Sequence, residues 1–155
     1  MSKVDNLFLE IESGNNERVS EVVKELGVEV QDSYGRTPLI NAAFYGNLDL
    51  LRWLIAEGAD VDAQDKKGYA ALHFSVQENK PDCVKLLLDN KANPNIQDKY
   101  GNTPAAVAVV NWKAGENFNN LKALVDAGAD LTLKNKAGKS VYEILPAPIK
   151  QQLGL

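Results

Sequence analysis

The sequence predicts an all-α chain built as a row of repeated helix pairs, and three observations carry that prediction. The first is self-similarity at a fixed period. GRTPLINAAFYGNLDLLRWLIAEGADVDAQDKK begins at Gly35, GYAALHFSVQENKPDCVKLLLDNKANPNIQDKY begins 33 residues later at Gly68, and GNTPAAVAVVN opens a third copy at Gly101 after another 33. A fourth opening stands at Gly138 after 37 residues, so the third unit carries four extra residues. Periods of this size mark a repeat architecture, in which each unit is a structural module. The second observation is apolar spacing of helical period inside each copy. The third is Asp-x-x-Gly before each unit, at Asp32, Asp65 and Asp98, where a carboxylate that accepts local N–H groups and a glycine with unusual backbone angles make a turn.

Taken in order, Asp5 to Ser13 reads as the first helix, with Leu7, Phe8 and Ile11 as its apolar stripe and residues 1–3 frayed. Ser13-Gly14-Asn15-Asn16 breaks it. Val19, Val22, Val23 and Leu26 give a second helix, closed near Gly27. This pair has the proportions of the later repeats without their Thr-Pro opening, and reads as an N-terminal cap with a wettable outer face. In the next unit Thr37 is placed to cap a helix with Pro38 at its first position, where a missing N–H costs nothing. Ala42 and Ala43 allow close helix approach, and Gly46-Asn47 ends the inner helix. Leu50, Leu51, Leu54 and Ile55 form the apolar face of the outer helix, in which Trp53 also belongs to the apolar succession. Gly58 supplies a positive-φ terminus.

The second full unit departs from this pattern. Ala70-Ala71 replace Thr-Pro and give up a side-chain cap worth about 1 kcal/mol. Asn79 replaces Gly46, and Lys91 stands where Gly58 does, so a left-handed backbone there is strained by about 1 kcal/mol. This unit is therefore the weaker one, held by its neighbours. The third restores Thr103-Pro104, runs to Val110, and resumes its outer helix at Leu121, Leu124 and Val125. In the last, Ser140 caps a helix containing Tyr142, Ile144 and Leu145, and Pro146 and Pro148 precede a short closing helix. Helix pairs are predicted near 5–26, 37–57, 70–90, 103–126 and 140–153.

These repeats resemble the ankyrin family. The resemblance rests on Asp32-x-x-Gly35-x-Thr37-Pro38-Leu39, the pair Ala42-Ala43, and Gly58-Ala59-Asp60 before Asp65-x-x-Gly68. It continues in Leu72-His73, Asp98-x-x-Gly101-x-Thr103-Pro104 and Gly128-Ala129-Asp130. It implies an ankyrin repeat solenoid: stacked helix-turn-helix units with short β-turn connections, curved, and used for protein binding. The units then divide as 1–31 (cap), 32–64, 65–97, 98–134 (with the insertion) and 135–155 (truncated cap). His73 falls where the family's T-P-L-H tetrapeptide has a histidine that supports backbone hydrogen bonds within and between repeats. Ile40 and Ala106 fill the equivalent places, so that network is incomplete here.

Composition narrows the function. The net charge is −4 with a pI of about 5.0, and no basic stripe runs along the chain, which argues against a nucleic-acid partner. The N-terminal pair is acidic through Glu10, Glu12, Glu17, Glu21, Glu25 and Glu29, either as a solvated surface or as an attraction for a basic partner. Cys83 is the only cysteine and reads as a small buried hydrophobe. With no signal-like start and no long apolar span, a cytoplasmic protein without membrane association is expected. One histidine and one cysteine do not make a zinc site, which needs three or four converging ligands. No serine has an evident base, and no phosphate-cradling glycine loop occurs. Neither an enzyme nor a cofactor is expected.

The resemblance also implies where a partner binds: at the turn tips and at the ends of the inner helices, which face a concave groove. In this sequence the candidates are Tyr34, Arg36, Phe44, Tyr45, Lys66, Tyr69, Gln77, Tyr100, Asn111 and Trp112. Aromatics and arginine dominate interface hot spots because they combine large contact area with a polar handle. Tyr34, Tyr69 and Tyr100 either face a partner or lean on adjacent turns. Trp112 either edges a protruding finger made by the four-residue insertion or folds back over Phe118. In size the chain is similar to small bacterial ankyrin proteins that act as immunity factors against a toxin and to short eukaryotic ankyrins that inhibit kinases. The expected function is non-catalytic binding of a folded protein, as an inhibitor, an immunity protein or a scaffold subunit.

Overall fold

A computed structural model describes the chain except residues 113, 114 and 116. The described residues form paired helices: α1 Lys3–Ser13 with α2 Asn16–Leu26, α3 Pro38–Tyr45 with α4 Leu48–Ala56, and α5 Ala71–Gln77 with α6 Pro81–Asp89. They continue with α7 Pro104–Val110 and α8 Phe118–Asp126, then the short α9 Val141–Ile144 and α10 Ala147–Gln152. Extended pairing among the described residues is limited to the isolated bridges Gln64–Ala70 and Lys134–Ser140. The predicted all-α repeat solenoid is the observed fold.

Local chemistry sets the helix ends. Thr37 and Thr103 accept the N–H of Ile40 and Ala106 at 3.3 Å, each with proline at the first helical position. Gly46 closes α3 at φ 72°, and Asn47 immediately caps α4 by accepting the Leu50 N–H at 3.1 Å. Ser140 and Glu143 form a reciprocal capping box on α9. Another such box corrects the expected fraying. Ser2 Oγ accepts the Asp5 N–H at 3.0 Å while the Asp5 carboxylate accepts from Ser2, so α1 begins at Lys3. Lys3 also pairs with Glu25 of α2.

The helices stack in two rows. An inner row runs α1, α3, α5, α7, α9, and an outer row runs α4, α6, α8, with α2 packed on α1. The inner contact uses Ala42, Ala43, Ala71, Ala105 and Ala108, all about 1% exposed or less. Such small side chains let helix axes approach at the near end of the usual 8–10 Å range. The outer row buries Leu50, Leu51, Leu54, Val84, Leu87, Leu121 and Leu124, with Cys83 among them at 2% exposure. Each fully buried leucine contributes about 2 kcal/mol. Burial also raises the Cys83 thiol pKa, which suppresses thiolate chemistry.

The second full unit is built as its substitutions imply. Asn79 and Lys91 adopt φ 49° and 67°, the positive-φ non-glycine residues among those described. Ala70 contributes no side-chain cap. His73 partly compensates: its Nδ1 accepts the Ala70 N–H at 3.1 Å, and its Nε2 lies 3.0 Å from the Asn102 carbonyl in the next turn. A carbonyl only accepts, so Nε2 carries the proton. Burial holds the His73 pKa below 6.5, which keeps the ring in that neutral form.

Candidate functional site

The surface begins with the turns. Asp32 Oδ1 accepts the N–H groups of Tyr34 and Arg36, and Asp65 Oδ1 accepts those of Lys67 and Tyr69. Asp98 Oδ1 does the same for Tyr100 and Asn102, each bond lying between 2.8 and 2.9 Å. Asn135 repeats the pattern with its side-chain oxygen. Successive turns are then tied by backbone bonds: Lys66 N–H donates to the Tyr34 carbonyl, Lys99 to Lys67, and Lys136 to Tyr100, at 2.8 to 3.0 Å. The side chains at the turn tips are thereby held at the repeat spacing.

Behind the first two tips lies one connected cluster. The Arg36 guanidinium carbon sits 5.3 Å from the Tyr34 ring centre, 5.7 Å from Phe44 and 4.7 Å from Phe74. Phe44 meets Tyr45 and Phe74 edge to face at 4.9 and 5.7 Å. Arg36 Nε is 3.7 Å from Asp65 Oδ2, with the arginine side chain 27% exposed and the aspartate 3%. Cation–π contacts of this partly desolvated kind are worth about 1–2 kcal/mol.

Tyr69 differs from the other tip tyrosines in its surroundings. It leans inward, stacked on His73 at 4.9 Å and against Phe74 at 5.1 Å, and burial raises its hydroxyl pKa, with Asp98 and Asp65 adding to the effect. Tyr34 and Tyr100 are 64% and 63% exposed, and Tyr45 is 39% exposed. Desolvation, and then the Glu12 carboxylate, raise the Tyr45 pKa. Gln77 and Tyr100 line a hollow of about 310 Å³ with Arg36, Lys67 and Asn102.

Three candidates stand apart from this cluster. Lys66 is exposed but reaches back, its Nζ donating to the Ser33 carbonyl at 2.8 Å. Asn111 is the C-cap of α7, its Nδ2 donating to the Val107 carbonyl. Trp112 packs edge to face on Phe118 at 6.3 Å and lines a small apolar hollow of about 240 Å³ with Val109, Ile144, Leu145, Pro146 and Ile149. That is the fold-back arrangement. A finger at the insertion involves residues 113, 114 and 116, which lie outside the described residues.

Several residues of the surface escaped the sequence reading. Phe74 supplies the floor under Arg36, and α1 contributes Phe8, Leu9 and Glu12 beside Tyr34 and Tyr45. A signal for Glu12 existed. It stands two residues before the positive-φ Gly14, as Phe44 does before Gly46 and Gln77 before Asn79. Among the described residues no group of three or more His, Cys, Asp and Glu side chains gathers as a metal-ligating set. No described helix is long and apolar enough to cross a membrane.

Residues 7–65 and 40–135 match the family model described as ankyrin repeats (3 copies). A Rickettsia bellii protein bearing an ankyrin-repeat name is 39% identical over 89 residues, covering 54% of this chain and 25% of its own length. A Rickettsia felis protein of the same description is 30% identical over 136 residues, covering 84% of this chain and 43% of its own. The human BCL-6 corepressor-like protein 1 is 31% identical over 116 residues, covering 74% of this chain and 6% of its own. The chain thus spans less than half the length of each of these relatives.

Proposed function

The chain belongs to the ankyrin-repeat family, a non-catalytic structural fold that serves as a protein–protein interaction module, and from that premise we propose that it binds a folded protein through the turn tips and inner-helix ends. The observation that carries the reading is the concentration of exposed large aromatics there. Tyr34, Tyr45 and Tyr100 keep between 39% and 64% of their surface in water around an arginine immobilised by Phe44 and Phe74. Rigid rings lose little conformational freedom on association, and a held guanidinium is pre-organised for acceptors on a partner.

The test is calorimetry of single variants Tyr34→Ala, Tyr45→Ala and Tyr100→Ala against the protein that copurifies with the chain. The expected result is at least one loss of about 30-fold, the size of a hot-spot truncation near 2 kcal/mol, with unchanged circular dichroism. Parental affinity in all three would overturn the reading. Inhibition is the finer form of the proposal, with the partner an enzyme or a toxin. Loss of the purified partner's activity on binding supports an inhibitor or immunity role, whereas unchanged activity makes the chain a scaffold or regulatory subunit.

A further inference from the structure

Two hollows meet at Arg36, which rests on Phe44 and Phe74, and to that shared cation one adds carboxylates while the other adds the exposed Lys67. On the α1 side lies a hollow of about 460 Å³, with Phe8, Leu9, Tyr34 and Tyr45 as apolar lining, Asp5, Glu12 and Asp32 as its carboxylates, and Arg36 as the cation it shares with the second hollow. Asp5 is engaged in the Ser2 capping box and Asp32 Oδ1 holds two turn N–H groups, which leaves the Glu12 carboxylate and Asp32 Oδ2 as the open acceptors. Glu12 is exposed, and its charge is felt at the Tyr45 hydroxyl. The wider field agrees. The first 31 residues carry seven acidic and three basic side chains, which accounts for the whole net charge of −4, and the remainder of the chain is balanced.

Across Arg36, the 310 Å³ hollow contains two carboxylates that are turned inward. Asp65 and Asp98 are 8% and 7% exposed, and each Oδ1 is occupied by two backbone N–H groups. Asp65 Oδ2 faces Arg36, and Asp98 Oδ2 accepts from Asn102. Lys67 is the exposed charge of this hollow, and the Arg36 side chain, paired with Asp65, keeps 27% of its surface in water.

Resting on the reading that this face binds a protein, we infer that the partner presents an extended segment with a lysine or arginine over Glu12 and Asp32 and an aspartate or glutamate over Arg36 and Lys67. Adjacent helices stack about 10 Å apart and an extended chain advances about 3.3 Å per residue, so the two charges stand about three residues apart in the segment. The half-buried Phe44 and exposed Tyr45 rings, in edge-to-face contact, take an apolar side chain. Complementary charges in this arrangement select the partner and set its direction, and like charges are rejected.

The experiment selects ten-residue random peptides, displayed on phage, against the immobilised full chain and against the exposed-site variants Glu12→Lys and Lys67→Glu. The expected peptides from the parent carry one basic and one acidic residue about three apart. Glu12→Lys is expected to convert the basic position to acidic, and Lys67→Glu the acidic position to basic. A parental peptide should lose about tenfold or more in affinity on either variant, and the charge-swapped peptide should recover it. Peptides that lose binding in Tyr45→Ala but show no charge preference overturn this inference and leave the binding face standing. Peptides indifferent to Tyr34→Ala and Tyr45→Ala, or no enrichment at all, also overturn this inference, while the binding face itself stands or falls with the calorimetry of the tyrosine variants.

Discussion

The guanidinium carbon of Arg36 lies 4.7 Å from the centre of the Phe74 ring, so a cation from the turn before α3 rests on an aromatic of the following unit's inner helix. The contact crosses a repeat boundary, and in a solenoid such boundaries carry much of the stability. Arg36→Ala is expected to destabilise the chain by about 1–2 kcal/mol, with part of the loss coming from the aliphatic stem. Arg36→Lys should recover only a fraction, because an ammonium does not stack as a planar guanidinium does. Urea unfolding of the two variants checks both values.

Gly68 and Gly138 occupy equivalent turn positions with φ 79° and 73°, but only one is crowded. A Cβ on Gly68 would stand 2.7 Å from the Lys99 backbone nitrogen, whereas one on Gly138 meets nothing within 4 Å. Gly138→Ala should therefore cost only the left-handed backbone term, about 1 kcal/mol. Gly68→Ala must also push the next turn away and should cost about 1–3 kcal/mol more. Equal losses in thermal unfolding would show that the turn yields without penalty.

The second full unit has two places where a repeat-consensus residue should stabilise. Lys91→Gly removes a non-glycine residue from φ 67° and is expected to add about 1 kcal/mol. Ala70→Thr with Ala71→Pro restores the cap that Thr37-Pro38 makes in the preceding unit, for a gain of roughly 0.5–2 kcal/mol. Denaturant midpoints decide it, and no gain in either variant would show that this unit's backbone has adapted to its own residues.

His73 predicts a pH dependence. Burial lowers its folded-state pKa below the reference value of 6.5, against the opposing effect of the Asn102 carbonyl. The unfolded chain therefore binds the proton more readily, and stability rises with pH wherever that is so. The His73 contribution is intact above about pH 6.5, begins to fall as the pH drops through that value, and is lost once the pH passes the folded pKa. His73→Gln should lower stability at pH 7.5 and flatten the change in Tm between pH 7.5 and 5.5. An unaltered slope would show that the ring does not govern this range.

Trp112 and Tyr100 should separate stability from binding. Tyr100 is 63% exposed, and Tyr100→Ala is expected to stay within about 0.5 kcal/mol of the parent. Trp112 packs on Phe118 and lines a hollow with the closing segment, and Trp112→Ala should cost about 2 kcal/mol. Chemical denaturation of the pair tests the contrast.

What the sequence by itself determined was the repeat, the helix pairs and most of their ends. These depend on chemistry within a few residues: Thr37 reaching the Ile40 N–H, Asn47 reaching Leu50, and Asp65 Oδ1 gathering the N–H groups of Lys67 and Tyr69. The positive-φ Lys91 and Asn79 were legible for the same reason, since each stands in register with a closing glycine. Tertiary structure alone decided which side chains share a surface. Arg36 meets Phe74 and Asp65 only because neighbouring units stack at one offset. That offset also turns Asp65 and Asp98 inward, which leaves Lys67 as the exposed charge at the hollow they line. Trp112 came to line a hollow with Ile144, Leu145 and Ile149, residues more than thirty positions ahead of it. Local hydrogen bonds are written into a few consecutive residues, whereas the burial of a side chain is set by whatever distant surface comes to lie against it.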